Sequence, residues 1–235
     1  MKKDAAPLPD DTNTDANVAL AAAAHEIKNA LGPLAMTLQL AERQAKGGQP
    51  VAPADLAFAR AQVRRLGALV NDLLDQTRAD LGNLAFHPRL TDLGAVVTEA
   101  VETFRRGTPA PIVVELPTAP VAASVDAGRI EQVLVNLLEN ATRYSPDGSQ
   151  VTVRLRQPAP GRARIEVSDR GPGLSAEEHT RIFDRFVRGA TAEGTSGLGL
   201  GLYLCRAIVR QHGGSIGVDS APGAGATFWL DIAAS

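Results

Sequence analysis

The feature that most constrains the fold is a pair of long apolar stripes separated by a short turn. Apolar residues recur at steps of three, four and seven over 15–45 and again over 54–80, which is the spacing of one helix face. The sequence KGGQPVAP at 46–53 predicts a turn between them. One hairpin cannot cover both stripes, so we expect two copies to pair through residues 15–80 as a four-helix bundle.

The chain changes character after the second stripe and mixes strand-like with helix-like segments. Thr91 with Asp92, and later Asp126, precede apolar helical patterns in the way that capping residues do. Strand-like stretches are IVVEL, VTVRLR, ARIEVSD and ATFWLDI. The sequence therefore predicts an α+β domain with helices on one face of a sheet. The expected organisation is a disordered lead-in at 1–14, a helical hairpin at 15–80, a linker at 81–90 and this domain at 91–235.

Composition excludes several classes of protein. The net charge is −2, and no basic arm stands out, so we expect no nucleic-acid partner. The single cysteine, Cys205, excludes an internal disulfide framework. The longest apolar run near the N-terminus is 18–24, well short of the ~20 residues of a membrane span. We therefore expect a cytoplasmic chain without a span.

One predicted helix, AGRIEQVLVNLLENATRY, carries two asparagines on one face. Asn136 and Asn140 are four residues apart, which places their side chains one above the other. Amide oxygens in such a position can bind a hard cation such as Mg²⁺, whose other ligands are waters and phosphates. Arg143 and Tyr144 follow and offer a cation for a phosphate and a ring for a base or sugar.

A carboxylate followed by glycines ends the predicted strand ARIEVS. Asp169 at this strand end can accept a hydrogen bond from an exocyclic amine. Gly171 and Gly173 then allow the backbone to turn tightly and approach a ligand.

A second glycine-rich segment precedes the helix predicted to end near Gln211. Alternating glycines before a helix expose backbone N–H groups, and the helix dipole favours an anion there. The segment suits a triphosphate but lacks the GK[ST] ending of a P-loop. Its residues are Gly197, Leu198, Gly199, Leu200 and Gly201.

In this order the motifs resemble the N, G1, F, G2 and G3 boxes of the sensor histidine kinases of two-component systems. The F box corresponds to 183–186 and the G3 box to 223–227. The resemblance implies a HisKA-type hairpin followed by an α/β-sandwich ATP-binding domain of the gyrase and histidine-kinase type. It implies ATP and Mg²⁺ as ligands, Asn140 as the magnesium ligand and Asp169 as the adenine-binding residue. The glycine boxes would hold the phosphates and a lid.

The first helix carries a histidine that resembles the phosphate acceptor of this family. His25, Glu26 and Asn29 match the H box. Neutral imidazole is a good nucleophile near pH 7, and Glu26 could hold the ring N–H and stabilise positive charge. Asn29 lies one turn further along the same face. In the family, a polar residue at that position helps water to dephosphorylate the partner regulator.

The function implied is autophosphorylation of His25 from ATP, followed by transfer of the phosphoryl group to an aspartate of a response regulator. A gyrase-like ATPase is one alternative, but such enzymes carry a glutamate base where this chain has Asn136. A phosphotransfer or docking adaptor that does not use ATP is another, and intact glycine boxes argue against it. An anti-sigma-factor kinase would lack the hairpin and the H box.

Overall fold

The computed structural model describes residues 11–80, 84–106, 108, 110–187 and 199–235. Of these residues, those up to Leu74 form one compact unit, and those from Asp75 onward form a second. Residues 1–10 of the expected lead-in lie outside the described part. Within the described helices, none has both the length and the apolar content that crossing a bilayer requires.

The first unit contains the predicted helical hairpin. Helix α1 spans Asp11–Lys46 and helix α2 spans Pro53–Asp80, so α1 begins within the stretch expected as a lead-in. Gly47 N–H donates to the Arg43 carbonyl at 3.0 Å. Gly48 follows with φ of 71°, a left-handed conformation that commonly ends helices. The prediction of two long helices joined by a glycine-rich turn is confirmed.

Much of the apolar surface of these two helices is exposed in the single chain. Ala30, Leu34, Ala59 and Leu69 are buried. A larger group of aliphatic and aromatic side chains stays between 42% and 75% exposed: Leu31, Met36, Leu38, Leu40, Leu56, Phe58, Val63, Val70 and Leu74. Burial of such surface is the main driving force for association, so the hairpin retains apolar area that a partner could cover.

The second unit is built on a five-stranded sheet of order β2-β4-β5-β7-β6. Strand β2 pairs with β4 in parallel, and the remaining neighbours are antiparallel. A separate antiparallel pair, β1 with β3, completes the strands described. The bounds are Arg89–Asp92 for β1, Ile112–Glu115 for β2, Ala122–Val125 for β3, Val151–Ala159 for β4, Arg162–Ser168 for β5, Ser215–Ser220 for β6 and Ala226–Ala233 for β7.

Helices cover one face of the five-stranded sheet, as predicted. Helix α3 spans Leu93–Arg105, α4 spans Ala127–Tyr144, α5 spans Ala176–Arg181 and α6 spans Gly201–Gln211. Leucine, isoleucine and valine side chains of α3, α4 and α6 share one buried cluster with the inward residues of the strands. The predicted caps are confirmed: Asp92 accepts from Gly94 N–H at 3.0 Å, and Asp126 accepts from Arg129 N–H at 3.2 Å.

The opposite face of the sheet carries charged residues instead. Glu166 on β5 and Asp231 on β7 are each 5% exposed. Arg156 pairs with Glu166 across the β4–β5 ladder, and Arg164 pairs with Asp231 at 2.6 Å. Burying a carboxylate is tolerated when it is paired and hydrogen-bonded. The arginine side chains on this face therefore cover Glu166 and Asp231 and neutralise their charges.

An ion pair fixes the end of α2 to the start of α4. Asp75, which is 8% exposed, accepts hydrogen bonds from Arg129 at 2.7 Å and from Gln132 at 3.1 Å. Burial alone would raise the pKa of Asp75, but the bonds from Arg129 and Gln132 outweigh it and lower the pKa below its ordinary value. Asp75 is therefore ionised and paired throughout the neutral range.

Replacing this carboxylate is expected to destabilise the second unit. Asp75→Asn leaves the Arg129 guanidinium without its counter-ion, and breaking a buried pair in this way costs about 3 kcal/mol. The chain's single tryptophan, Trp229 on β7, reports the unfolding of this unit in urea by fluorescence. Glu102→Gln, at an exposed position on α3, serves as the control and is expected to change stability by less than about 0.5 kcal/mol.

The difference between wild type and Asp75→Asn should depend on pH. Because the folded-state pKa lies below the unfolded value, the stabilisation is present above about pH 4 and is lost as the pH falls further. The two urea midpoints should therefore converge in acid. A gap that stays constant down to acid pH would contradict the role given to this carboxylate.

Candidate functional site

Helix α4 places the two predicted asparagines at the edge of its buried stripe. Val133, Leu137 and Ala141 are fully buried, whereas Asn136 and Asn140 are half-buried. Asn136 Nδ2 donates to the Gln132 carbonyl at 3.2 Å, which turns its amide oxygen away from its own helix backbone. The helix thus presents amide groups along one border of its packed face.

The start of α6 lies against Asn136. A Cβ atom on Gly201 would stand 2.6 Å from Asn136 Oδ1, closer than real Cβ contacts allow. Gly199 has φ of 68°, and a Cβ there would lie 2.8 Å from the Val187 carbonyl oxygen. Gly199 is thus required by both its conformation and its backbone contact, whereas a side chain at position 201 would displace the Asn136 amide. Of the five predicted residues in this segment, Gly199, Leu200 and Gly201 are described, and Gly197 and Leu198 lie outside the described residues.

The last residues of α4 lie against the loop that follows β5. A Cβ on Gly171 would stand 3.0 Å from the Tyr144 carbonyl oxygen, so the loop backbone approaches the end of the helix closely. Ser145 Oγ accepts a hydrogen bond from Arg170 N–H at 3.2 Å. Tyr144 is half-buried and Arg143 is exposed at this end.

Asp169 is held at the centre of this loop by two backbone donors. Its Oδ1 accepts from Gly171 N–H at 2.7 Å and from Ala226 N–H, at the start of β7, at 3.2 Å. In the described part of the chain, both bonds use Oδ1, so Oδ2 remains able to accept from a ligand. Burial raises the pKa of Asp169 above its ordinary value, against the opposing effect of these two N–H donors.

Through helix α4, these contacts connect Gly201 and Asn136 with Tyr144, Gly171 and Asp169, and the residues along this path form one candidate surface. From Gly201 it passes to Asn136, along α4 through Asn140 to Tyr144, and across Gly171 to Asp169. It combines backbone donors at a helix start, amide oxygens and a partly buried carboxylate. Such a set suits a ligand with an anionic end and a hydrogen-bond donor at the other end.

The three predicted residues of the first unit lie on α1. Asn29 is exposed. His25 and Glu26 fall within the helix, but their side chains lie outside the described part of the structure.

The structure adds contacts to the site that sequence spacing did not reveal. Strand β6 was not predicted, and its last residue, Ser220, bonds to both loops near Asp169. Ile216 and Val218 alternate along this strand and offered a weak strand pattern. Gly225, within the segment 223–227 that resembles the G3 box, has φ of 77° and lies directly against the Asp169 carbonyl.

Two families of known domains match the chain. Residues 17–82 match the His Kinase A (phospho-acceptor) domain. Residues 125–235 match the family described as histidine kinase-, DNA gyrase B- and HSP90-like ATPase. The two matches cover the helical hairpin and most of the second unit, in the order that the sequence motifs indicated.

Individual relatives agree with these matches. The signal transduction histidine-protein kinase/phosphatase MprB of Mycobacterium ulcerans is 35% identical over 207 residues, which cover 86% of this chain and 40% of that protein. A solved mycobacterial sensor histidine kinase MprB is 31% identical, with a TM-score of 0.58, and the match covers 62% of this chain and 98% of that one. The chain thus spans well under half the length of the full MprB protein.

A third comparison concerns the fold of nearly the whole chain. The histidine kinase ThkA, solved in complex with the response regulator protein TrrA, has a TM-score of 0.66 and covers 92% of this chain and 61% of that one. Its sequence identity of 21% shows a shared fold.

The raised pKa of Asp169 predicts that the ligand-free protein is more stable without this charge. Because the folded-state pKa lies above the unfolded value, ionisation opposes folding at neutral pH, and the penalty disappears below the unfolded pKa of about 4. Asp169→Asn, which keeps an acceptor for Gly171 and Ala226, should therefore raise the thermal midpoint at pH 7 and converge with wild type in acid.

Asp126 provides a control of opposite sign for this measurement. Burial would raise the pKa of Asp126, but hydrogen bonds from the His87 and Arg129 amides outweigh it and lower the pKa. Asp126→Asn should therefore lower the thermal midpoint at pH 7. If both variants moved the midpoint in the same direction, the different electrostatic states assigned to the two carboxylates would be wrong.

Proposed function

The chain belongs to the sensor histidine kinases of two-component systems, and on that basis we propose that it binds ATP and phosphorylates its own His25. The observation that carries the proposal is the candidate surface from Gly201 through Asn136 to Asp169. Its glycines, amides and carboxylate have the chemistry that a purine nucleotide triphosphate requires. The kinase core would work in the cytoplasm, where ATP is available.

Each part of the nucleotide has a matching group on this surface. Asp169 Oδ2 would accept from the exocyclic amine of adenine, since Oδ1 is already bound by Gly171 and Ala226. Backbone N–H groups at the start of α6 would bind the phosphates, favoured by the helix dipole. We assign the same role to Gly197 and Leu198, and a supporting role to Gly173 and Leu200. Arg143 and Tyr144 would contact phosphate and base or sugar.

A magnesium ion fits the same surface. Asn140 offers an amide oxygen one turn from Asn136, and Mg²⁺ in nucleotide sites commonly uses few protein ligands and several phosphate oxygens and waters. The ion would neutralise charge on the phosphates during transfer. Among the described residues, no group of three or more His, Cys, Asp or Glu side chains is arranged to hold a metal ion.

The reaction forms a bond between an imidazole nitrogen of His25 and the γ-phosphorus. The bond from that phosphorus to the bridging oxygen breaks, and ADP leaves with the electron pair. Glu26 would accept a hydrogen bond from the other ring N–H and stabilise the positive charge on the ring. His25 and the nucleotide surface belong to different compact units, so the two must meet during the reaction.

A response regulator is the proposed acceptor in a second step. The solved ThkA complex contains such a regulator, and the MprB relative is named as both kinase and phosphatase. The phosphoryl group would pass from His25 to an aspartate of the regulator's receiver domain. Asn29, exposed one turn from His25, would position water for the reverse task of dephosphorylating the regulator.

Hydrolysis of ATP by activated water is a weaker alternative for this site. A gyrase-like ATPase needs a general base on this helix, and Asn136 stands at that position. An amide cannot accept a proton at neutral pH, and Asn136 Nδ2 is engaged with the Gln132 carbonyl. An adaptor that does not use ATP is a weaker alternative as well. Gly199 and Gly201 allow the start of α6 to approach its neighbours closely, and an adaptor would have no use for the nucleotide surface that this approach forms.

Substitution of His25 tests the central proposal. With γ-labelled ATP, the wild type should acquire a label that is labile in acid and stable in alkali, as a phosphohistidine is. His25→Gln should remove this label and leave ATP affinity within about twofold, because the residue is distant in sequence from the nucleotide surface. Asn140→Ala should lose the label through failure to hold Mg²⁺. Purified receiver domains added afterwards should take up the label from the wild type.

His87→Gln is the matched control for the histidine substitution. His87 is exposed and contacts Asp126 through its backbone N–H alone, so its replacement should leave labelling unchanged. An acid-labile label that survives in His25→Gln would overturn the assignment of the acceptor. A labelled protein that passes nothing to any receiver domain would overturn the second step only.

We propose further that the hairpin pairs with a second copy of the chain. The exposed apolar side chains of α1 and α2, such as Leu38 at 46% exposure, would be covered in a four-helix bundle. Light scattering should give twice the chain mass of 24.6 kDa. Leu38→Glu should shift the protein to monomer, whereas Leu90→Glu, on β1 of the second unit, should not. A monomeric wild type would refute the pairing.

A further inference from the structure

Ser220 at the end of β6 joins the two loops that surround Asp169. Its Oγ accepts a hydrogen bond from Leu174 N–H at 2.9 Å and donates one to the Gly225 carbonyl at 2.6 Å. Leu174 belongs to the loop after Asp169, and Gly225 belongs to the turn before β7. One half-buried hydroxyl therefore connects both segments.

The two loops are packed backbone against backbone around this hydroxyl. A Cβ on Gly173 would lie 2.0 Å from the Ala221 carbonyl oxygen, and a Cβ on Gly225 would lie 2.2 Å from the Asp169 carbonyl oxygen. Gly223 N–H also donates to the Pro172 carbonyl at 2.6 Å. Contacts this close tolerate little displacement, so the separation of the loops is tightly set.

The orientation of Asp169 depends on that separation. Gly225 is followed by Ala226, whose N–H donates to Asp169 Oδ1 at 3.2 Å. This bond is longer than the 2.7 Å bond from Gly171 within the same loop. A shift of the turn away from the loop would break the longer bond first and free the carboxylate to rotate.

We propose that Ser220 is a positioning residue for base recognition. By holding the Gly225 turn against the Asp169 loop, its hydroxyl keeps Oδ1 bound to Ala226 and aims Oδ2 at the exocyclic amine of adenine. Ser220 acts through Asp169. The inference rests on the proposed ATP site, and it adds a determinant of base selectivity that lies outside the nucleotide-contacting set.

The two bonds explain why the position needs a hydroxyl. The side chain must accept from one backbone N–H and donate to one backbone carbonyl at the same place, which serine and threonine can do. Alanine would remove both bonds. Cysteine would keep the approximate size while providing only a weak donor and acceptor.

Inosine triphosphate provides the test, because it differs from ATP only in the base: an oxo group replaces the exocyclic amine and N1 carries a hydrogen, so the donor at the 6-position is lost. Affinities of the full chain for ATP and inosine triphosphate are measured by competition. Ser220→Ala should weaken ATP binding about tenfold, the equivalent of one or two lost hydrogen bonds. It should weaken inosine triphosphate binding much less, so that the ratio of the two affinities falls.

Three further variants distinguish a positioning role of Ser220 from a nonspecific loss of structure. Ser220→Thr should restore the wild-type ratio to within about twofold. Ser215→Ala, at the exposed first residue of the same strand, should leave the ratio unchanged. If circular dichroism shows that Ser220→Ala does not fold, Ser220→Cys is measured in its place. It should also lower the ratio of the affinities for ATP and inosine triphosphate. A Ser220 variant that folds and weakens both nucleotides equally, or neither, overturns the inference.

Asp169→Asn distinguishes failure of the inference from failure of the proposed site. If Asp169→Asn abolishes the preference for ATP while the Ser220 variants keep it, the adenine site stands and Ser220 has no positioning role. If Asp169→Asn itself keeps the preference, the adenine assignment falls, and the inference built on it falls too.

Discussion

The candidate site depends on backbone approaches that only glycine permits. At Gly173 and Gly225 a Cβ would overlap a backbone carbonyl oxygen, at 2.0 and 2.2 Å, and at Gly201 it would overlap the side-chain amide oxygen of Asn136 at 2.6 Å. Each approach joins two elements that are distant in sequence: the loop after β5 with the turn before β7, and α6 with α4. The absence of side chains brings N–H groups, amides and a carboxylate into one surface. Larger residues would separate these elements and disperse the polar groups.

One face of helix α4 packs in the core, and the border of that face carries the asparagines of the candidate site. Its leucines and valines are fully buried in the main cluster, while Asn136 and Asn140 lie at the border of that stripe. The core therefore fixes the rotation of the helix about its axis, and the amides take their direction from that rotation.

The buried carboxylates also differ between the fold and the candidate site. Asp75 and Asp126 have lowered pKa values and stabilise the fold when ionised, whereas burial raises the pKa of Asp169. If Asp169 binds the base as proposed, the carboxylate for that ligand is maintained at some expense of stability.

Local patterns in the sequence predicted local features well. The long helices, the aspartate caps at Asp92 and Asp126, and the strands around β4, β5 and β7 follow from periodicity and capping chemistry alone. Strand β6 was missed because Gly217 interrupts it, and only the fold shows the reason: Trp229 on β7 occupies the space, with its ring 2.3 Å from where a Cβ would be. Strand β2 was predicted from its β-branched run IVVE, whereas β1 (RLTD) and β3 (AASV) were missed because neither has such a run.

The candidate site was predicted as a set of residues but not as a geometry. Asn136, Asn140, Asp169 and the glycines were identified by their order along the chain, whereas the contacts of Ser220 and Ala226 with the Asp169 loops arise from tertiary packing.

The ion pair between Asp75 and Arg129 connects the last turns of α2 to the helix that carries both asparagines. Helix α2 continues through Asp80, and Asp75 lies in its last two turns. Arg129 lies in the first turn of α4, the helix that carries Asn136 and Asn140. Any movement of the end of α2 relative to α4 must therefore break a buried, hydrogen-bonded pair or carry α4 with it. Breaking the pair costs several kcal/mol, and moving α4 displaces both amides from Gly201 and the loop of Asp169.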